Sequence, residues 1–315
     1  HPQTNTEAFG ELQPLRPQYQ DVEVRLKVMD QQGLAGMLLF PTQGVGIEEA
    51  LAADPEACHS VFHGFNRWLA EDWGYAVDDR LYAVPYIPLL DPAAATDELR
   101  HVLDAGAVAV NVRNAPVPVP GGYRSPFDPV YDRFWGQAEE AGVAVATHAG
   151  VDGYDALVQM WEPSAGESSL FRSPLRGVVT KGRSVRDFYG AALCHRVFER
   201  FPGLRFASVE NGASWIPDPL HRIDDAANRN PGYFTDHPRD VFNRHVWATP
   251  FWEDDVPGLL EAGVPAERLL LGSDWPHAEG TREPLDFVTE SLAGLSDDVV
   301  GKIGRRNALD ALQIW

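Results

Sequence analysis

Short apolar, β-branched runs alternate with longer amphipathic segments from about Asp21 to the end of the chain. Parallel strands that are covered on both faces by crossover helices produce this pattern. The apolar runs predict seven strands, at residues 35–41, 81–88, 108–113, 143–148, 204–210, 246–250 and 269–274. The amphipathic segments predict helices at residues 21–32, 56–73, 96–105, 128–141, 185–200, 215–227, 254–262 and 283–293.

The choice between an open sheet and a closed barrel depends on the first connection. An open nucleotide-binding sheet carries a glycine-rich phosphate turn there, whereas residues 42–46 (TQGVG) have two glycines without a third and predict a plain loop. The proline-rich residues 115–122 likewise predict a stiff loop. A length of 315 residues suits one α/β barrel. We therefore predict a single (β/α)₈ TIM barrel over residues 21–315.

Closing that barrel requires an eighth strand. Residues 1–20 are polar, contain proline and have no periodicity, so they predict an irregular N-terminal segment. Two interpretations stay open: the barrel is closed by something irregular, or its first strand is missing from the sequence as given.

The charge of the chain limits its partners. Forty-six acidic and 26 basic residues give a formal net charge of −20, which repels nucleic acid and anionic membrane surfaces. A small-molecule substrate is therefore expected, and a homo-oligomer stays open. No apolar stretch of membrane-spanning length, no signal-peptide pattern and no paired framework for Cys58 and Cys194 are visible, so we predict a cytoplasmic protein.

In a (β/α)₈ barrel, polar residues at the C-terminal strand ends face the active site. The fourth predicted strand ends at His148. This residue is either a metal ligand or catalyst, or a core histidine that is hydrogen-bonded to a neighbouring carbonyl. The seventh leads to Asp274 and His277. A carboxylate there must be paired, hydrogen-bonded or metal-bound, so we expect Asp274 to bind a metal and accept a proton, with capping of the next turn as the alternative. His277 is expected to touch the substrate.

Further candidates follow other strand ends. Arg113 is placed to bind a substrate carboxylate through its bidentate fork, or to form a salt bridge with Glu210 or Asp274. Glu210 is either a metal ligand or the ion-pair partner of Arg113, and we favour the pairing. Trp215 and Trp275 are expected to form walls of a substrate pocket.

The segments THAG, FPGLRFASVENGASW and LLLGSDWPHAEG resemble the amidohydrolase-related family, which includes aminocarboxymuconate semialdehyde decarboxylase and aromatic-acid decarboxylases such as γ-resorcylate decarboxylase. The resemblance implies a barrel that holds one divalent metal, usually zinc or manganese. By motif, His148 matches the fifth-strand metal histidine and Asp274 the eighth-strand metal aspartate, so the seven strands would be strands two to eight.

The sequence departs from that family in two places. No acid-x-His or His-x-His pair, which the family's first strand supplies to the metal, precedes Ala35 on an apolar strand. At the sixth-strand position, often a histidine, the chain has Glu210. If the first-strand ligands are missing, the metal is expected to be weakly held or absent.

Three functions follow from these observations. We favour a metal-dependent hydrolase that activates water at one divalent ion, zinc before manganese, with Asp274 as base. The first alternative is a non-oxidative decarboxylase of an aromatic or muconic acid, in which Arg113 helps to hold a carboxylate and Asp274 or His277 handles a proton. The second is a barrel that binds a small ligand without turning it over.

Overall fold

The computed structural model of the chain describes residues 14–41, 44–162, 174–277, 280–281 and 283–314. The strands are β1 (Met37–Leu39), β2 (Leu81–Ala83), β3 (Ala109–Arg113), β4 (Val117–Val119), β5 (Gly122–Arg124), β6 (Ala144–His148), β7 (Arg205–Val209) and β8 (Val246–Ala248). The α-helices are α1 (Val22–Gln31), α2 (Gly44–Ala50), α3 (Pro55–Asp72), α4 (Pro92–Asp104), α5 (Asp132–Ala141), α6 (Asp155–Gln159), α7 (Pro174–Thr180), α8 (Arg183–Cys194), α9 (Val197–Arg200), α10 (Pro217–Arg229), α11 (Pro238–His245), α12 (Val256–Glu261), α13 (Asp297–Gly301) and α14 (Asn307–Leu312). Short 3₁₀ turns lie at Pro17–Tyr19, Pro129–Tyr131 and Ala266–Arg268, and π-helical turns at Phe287–Ser291 and Lys302–Arg306.

Seven parallel strand positions follow one another in chain order. β1 pairs with β2, and β3, β6, β7 and β8 form a four-stranded parallel sheet. A parallel bridge between Tyr86 and Asn111 links the two groups, and another between Ala248 and Leu269 adds the seventh position. Six of the seven predicted strands are confirmed, in the α/β arrangement of a (β/α)₈ barrel, whereas at residues 269–274 the structure has a single parallel bridge at Leu269 and no continuous strand. Within the described residues, no strand pairing joins the seventh position to β1.

The two faces of each strand have different neighbours. Val110 and Val145 belong to the large core under the helices, whereas Ala109 and Ala144 form a second buried cluster with Leu312 of α14. Because side chains alternate along a strand, Arg113 lies on the same face as Ala109, and His148 lies on the same face as Ala144. This second face is the barrel interior, and α14 covers its N-terminal end.

Several predicted elements need correction. The predicted helix at residues 185–200 is interrupted between α8 and α9, where Arg196 adopts a left-handed backbone with φ of 56°. Of the predicted helix at 283–293, the structure has the π-helical turn Phe287–Ser291. The predicted stiff loop at 115–122 contributes to a hairpin of β4 and β5, which reverses at Gly121 with φ of 85°.

The predicted loop at 42–46 is also wrong where the structure describes it, because α2 begins at Gly44. Two glycines near a strand end indicated a loop, yet the amphipathic residues that follow them form a helix. This helix places Glu48 and Glu49 near the end of β3, with consequences for the site.

The N-terminal turn packs against the segment that follows the seventh strand. The Arg25 guanidinium of α1 is buried and lies 4.8 Å from the ring of Trp275, 5.6 Å from that of Trp73 and 5.8 Å from that of Tyr19. Such cation–π contacts stabilise a cation that has been removed from water. No helix in the described ranges is long and apolar enough to cross a membrane.

Candidate active site

His148 and Glu210 meet at the C-terminal ends of β6 and β7. His148 Nε2 lies 2.6 Å from Glu210 Oε2. Strand alternation would place Glu210 on the helix-facing side with Phe206 and Ser208. Its φ of 54° takes it out of strand geometry, and its carboxylate reaches the interior face instead. A left-handed backbone at a non-glycine residue costs about 1–3 kcal/mol, and such strain concentrates at functional sites.

The imidazole of His148 is fixed by its surroundings. Nδ1 lies 2.7 Å from the Ala149 carbonyl oxygen, and the backbone N–H of His148 donates to Asn111 Oδ1 at 3.2 Å. Burial lowers the pKa of His148, but the hydrogen bond and charge of Glu210, the Ala149 carbonyl and the charge of Asp274 outweigh it and raise the pKa above its ordinary value. His148 is therefore held in one orientation within a negative environment.

Asp274 follows the seventh strand and also has a left-handed backbone, with φ of 51°. Its Oδ2 lies 3.3 Å from His277 Nδ1, and its carbonyl accepts the His277 N–H at 2.7 Å. The negative charge of Asp274 helps to raise the pKa of His148, so the two strand ends lie within electrostatic reach of each other. We predict that the His148 and Asp274 side chains come within about 5 Å of each other, close enough to share one ion through bonds of about 2.0–2.2 Å each.

Arg113 is the register partner of His148 in the neighbouring strand. Its Nη2 lies 2.6 Å from Glu49 Oε2 of α2. Since Arg113 pairs with Glu49 and Glu210 with His148, the predicted Arg113–Glu210 ion pair is wrong. The physical reason is α2, which brings a carboxylate to Arg113 where the sequence suggested a loop.

Both predicted pocket tryptophans make other contacts in the structure. Trp215 is buried, stacks on Tyr189 with ring centroids 5.4 Å apart and donates its indole N–H to the Gly212 carbonyl. These are the contacts of a core side chain. Trp275 follows Asp274 directly and faces Arg25 and Tyr19.

Sequence reasoning missed the residues that support Glu210. The Asn211 Nδ2 donates to the carbonyls of Thr147 and Val209, and its Oδ1 accepts from Asn114 Nδ2. The Glu210 N–H donates to Thr249 Oγ1 at 3.3 Å. These bonds brace the β7 end against both neighbouring strands. The only sequence signal is that Asn211 and Thr249 also stand at strand ends.

The comparisons with known proteins identify the family of the chain. A sequence model described as amidohydrolase matches residues 12–314. The chain belongs to the amidohydrolase family. It is an enzyme of that family, and the resemblance drawn from its strand-end motifs is confirmed.

Known amidohydrolase-family proteins resemble most of the chain. A γ-resorcylate decarboxylase of Rhizobium sp. (strain MTP-10005) is 27% identical over 303 residues, covering 91% of this chain and 85% of the relative. The crystal structure of an amidohydrolase from Mycobacterium avium subsp. paratuberculosis K-10 has a TM-score of 0.89 at 39% identity, covering 95% of this chain and 75% of that one. A dihydroxybenzoic acid decarboxylase from Polaromonas sp. JS666, with bound manganese and the inhibitor 2-nitroresorcinol, shares the fold with a TM-score of 0.71 at 20% identity, covering 92% and 85%.

The strand-end residues fit a divalent ion by ligand type. The amidohydrolase site offers an imidazole nitrogen at His148 and carboxylate oxygens at Asp274 and Glu210, which zinc and manganese both accept. The contact between His148 Nδ1 and a backbone carbonyl is the support that metal-bound histidines commonly have. Over the described ranges, no three His, Cys, Asp or Glu side chains already stand in ion-binding geometry.

Gly150 tests how tightly the loop behind His148 is positioned. A Cβ on Gly150 would lie 2.6 Å from the Val45 carbonyl oxygen, against which this loop packs. Gly150→Ala is therefore expected to lower the free energy of unfolding by about 1–3 kcal/mol, measured by urea denaturation. The matched control is Gly64→Ala on α3, where nothing lies within 4 Å and little or no loss is expected. Equal stability of the two variants would contradict the close packing.

Proposed function

We propose that this amidohydrolase-family enzyme is a metal-dependent non-oxidative decarboxylase of a small aromatic carboxylic acid. The observation that carries the proposal is the contact of His148 Nε2 with Glu210 Oε2 at 2.6 Å, within the field of Asp274. The substrate class is supported by the decarboxylases that match 91% of the chain. The sequence favoured hydrolysis because it identified no decarboxylation substrate, and the decarboxylase relatives now suggest one.

His148 and Asp274 would hold the divalent ion, zinc or manganese, with Glu210 beside His148. When bound, the ion supplies positive charge that holds a substrate carboxylate and stabilises developing negative charge. Because the Ala149 carbonyl engages Nδ1 and orients the ring, Nε2 is the nitrogen that would face the ion, and Glu210, 2.6 Å from Nε2, would place its negative charge beside the ion. Arg113, next to His148 in register, is proposed to contact the substrate.

Asp274 and His277 are proposed to handle the proton. Loss of CO₂ breaks a carbon–carbon bond and leaves an electron pair on the ring carbon, which must take up one proton. Protonated Asp274 delivers that proton, and His277, 3.3 Å away and partly exposed, returns one from solvent. The pair thus links the buried end of the site to bulk water.

The experiment compares carboxylic acids with their hydrolysable counterparts. Purified protein with added Mn²⁺ or Zn²⁺ is incubated with 2,6-, 2,3- and 2,4-dihydroxybenzoate and with their methyl esters and anilides. We expect CO₂ and the corresponding phenol from at least one acid, and no hydrolysis of the esters or anilides. Hydrolysis without CO₂ release from any acid would overturn the proposal in favour of a hydrolase.

A further inference from the structure

The Arg113 guanidinium is buried without satisfied hydrogen bonds. Its side chain is 5% exposed, and none of Nε, Nη1 and Nη2 has a hydrogen-bond acceptor among the described residues. Glu49 Oε2 lies 2.6 Å from Nη2 without hydrogen-bond alignment, and this oxygen also lacks a donor within the described ranges. Buried polar groups are normally hydrogen-bonded. The Arg113–Glu49 pair therefore has unused capacity both to donate and to accept.

A third polar group converges on the same place. A Cβ built on Gly153 would lie 3.3 Å from Arg113 Nη2, 3.3 Å from the Tyr123 hydroxyl and 3.4 Å from Glu49 Oε1. Contacts of 3.3–3.4 Å are tight for a real side chain, so glycine lets these three polar groups close around the Gly153 backbone, and its φ of 77° also suits glycine. Tyr123 comes from the β4–β5 hairpin and is half exposed, so this member of the group is open to solvent. We call Arg113, Glu49 and Tyr123 the Arg113 cluster.

The charge of the Arg113 cluster is already balanced. Glu49 neutralises Arg113, and the neighbouring Glu48 is fully buried, where it accepts a hydrogen bond from the Tyr86 hydroxyl at 2.7 Å. Burial raises the pKa of Glu48, which favours its neutral form. A second carboxylate at this place would be repelled by Glu49, whereas a neutral group would not.

We propose that the Arg113 cluster binds a neutral substituent of the substrate that both donates and accepts hydrogen bonds, namely a hydroxyl or a primary amide. The substituent donates to Glu49 and accepts from Arg113, and the Tyr123 hydroxyl adds a third bond. This rests on the proposed function, because it assumes that the carboxylate of an aromatic acid occupies the site of His148 and Asp274. It differs from the sequence expectation, in which Arg113 binds the carboxylate itself.

Binding without turnover tests the proposal. Dissociation constants are measured by calorimetry for benzoate and for its 3- and 4-substituted hydroxy, carbamoyl and carboxy derivatives. In at least one position, the hydroxy and carbamoyl compounds are expected to bind about tenfold more tightly than benzoate, since each gains hydrogen bonds to charged groups. The dicarboxylates are expected to show no such gain.

Variants then assign the preference to the cluster. Glu49→Gln should remove most of the hydroxyl advantage and let a dicarboxylate bind more tightly, while Tyr123→Phe should cost about threefold for the hydroxy compound only. Glu71→Gln on the exposed face of α3 is the matched control and should change nothing.

Several outcomes would overturn the inference. These are tightest binding of dicarboxylates by the wild type, a hydroxyl preference that survives Glu49→Gln, and no measurable binding of any hydroxylated compound. A hydroxyl preference without CO₂ release from any acid would leave the Arg113 cluster intact and reject the decarboxylase. CO₂ release without that preference would do the reverse.

Discussion

Replacing Asp274 with asparagine is expected to lower kcat for CO₂ release by about 10²–10⁴-fold while the fold stays intact. Asparagine keeps the shape of the side chain and the contact with His277, but it can neither carry the transferred proton nor supply negative charge beside His148. The measurement is kcat on the best acid of the substrate panel, with circular dichroism and urea denaturation on the same preparation.

Asp97→Asn, on the exposed surface of α4, is the matched control and should retain wild-type kcat. An Asp274→Asn variant that keeps more than about a tenth of wild-type kcat would show that another group handles the proton.

The second large effect is expected for His148→Ala, which should lose both its bound divalent ion and its activity. Of the three side chains considered as ligands, His148 offers a nitrogen and the other two offer carboxylate oxygens. Alanine puts nothing in the place of the imidazole. Metal binding is measured by equilibrium dialysis against added Mn²⁺ or Zn²⁺, in which wild-type protein is expected to bind about one ion per chain.

His195→Ala, at an exposed position after α8, is the control and should keep the wild-type metal content. Retention of the ion by His148→Ala would contradict the role of His148 as a ligand.

The Glu210→Gln variant tests whether Glu210 is itself a ligand. Unchanged metal content indicates that Glu210 lies beside the ion without binding it, whereas loss of the ion makes Glu210 a ligand itself.

The strands and the residues at their ends could be predicted from the sequence. The seven apolar runs and the residues that follow them, His148, Glu210 and Asp274, are set by local patterns that the barrel preserves. The chain's own motifs also carried the family resemblance. The positions of the strands and of the residues at their ends depend on local sequence alone. The order of the strands in the sheet depends on strand pairing.

Side-chain partners were not readable, because they depend on local departures from regular backbone. Strand alternation places the Glu210 side chain on the face away from His148. The left-handed φ of Glu210 turns its carboxylate towards His148 instead. Helix α2 begins at a glycine pair typical of a loop and brings Glu49 to Arg113. Trp215 follows a strand end, yet it packs into the aromatic core against Tyr189. Each wrong prediction concerns which residue a single side chain contacts.

The most direct test of a metal-dependent decarboxylase with His148 and Asp274 at its centre is a metal titration. Chelator-treated wild-type protein is mixed with increasing Mn²⁺ or Zn²⁺, and CO₂ release from 2,6-dihydroxybenzoate, or from whichever acid the panel selects, is followed. We expect no CO₂ without metal, a rise in proportion to added ion that levels off near one ion per chain, and no recovery in His148→Ala. CO₂ release by metal-free protein that added ions leave unchanged, or equal recovery in His148→Ala, would contradict this assignment.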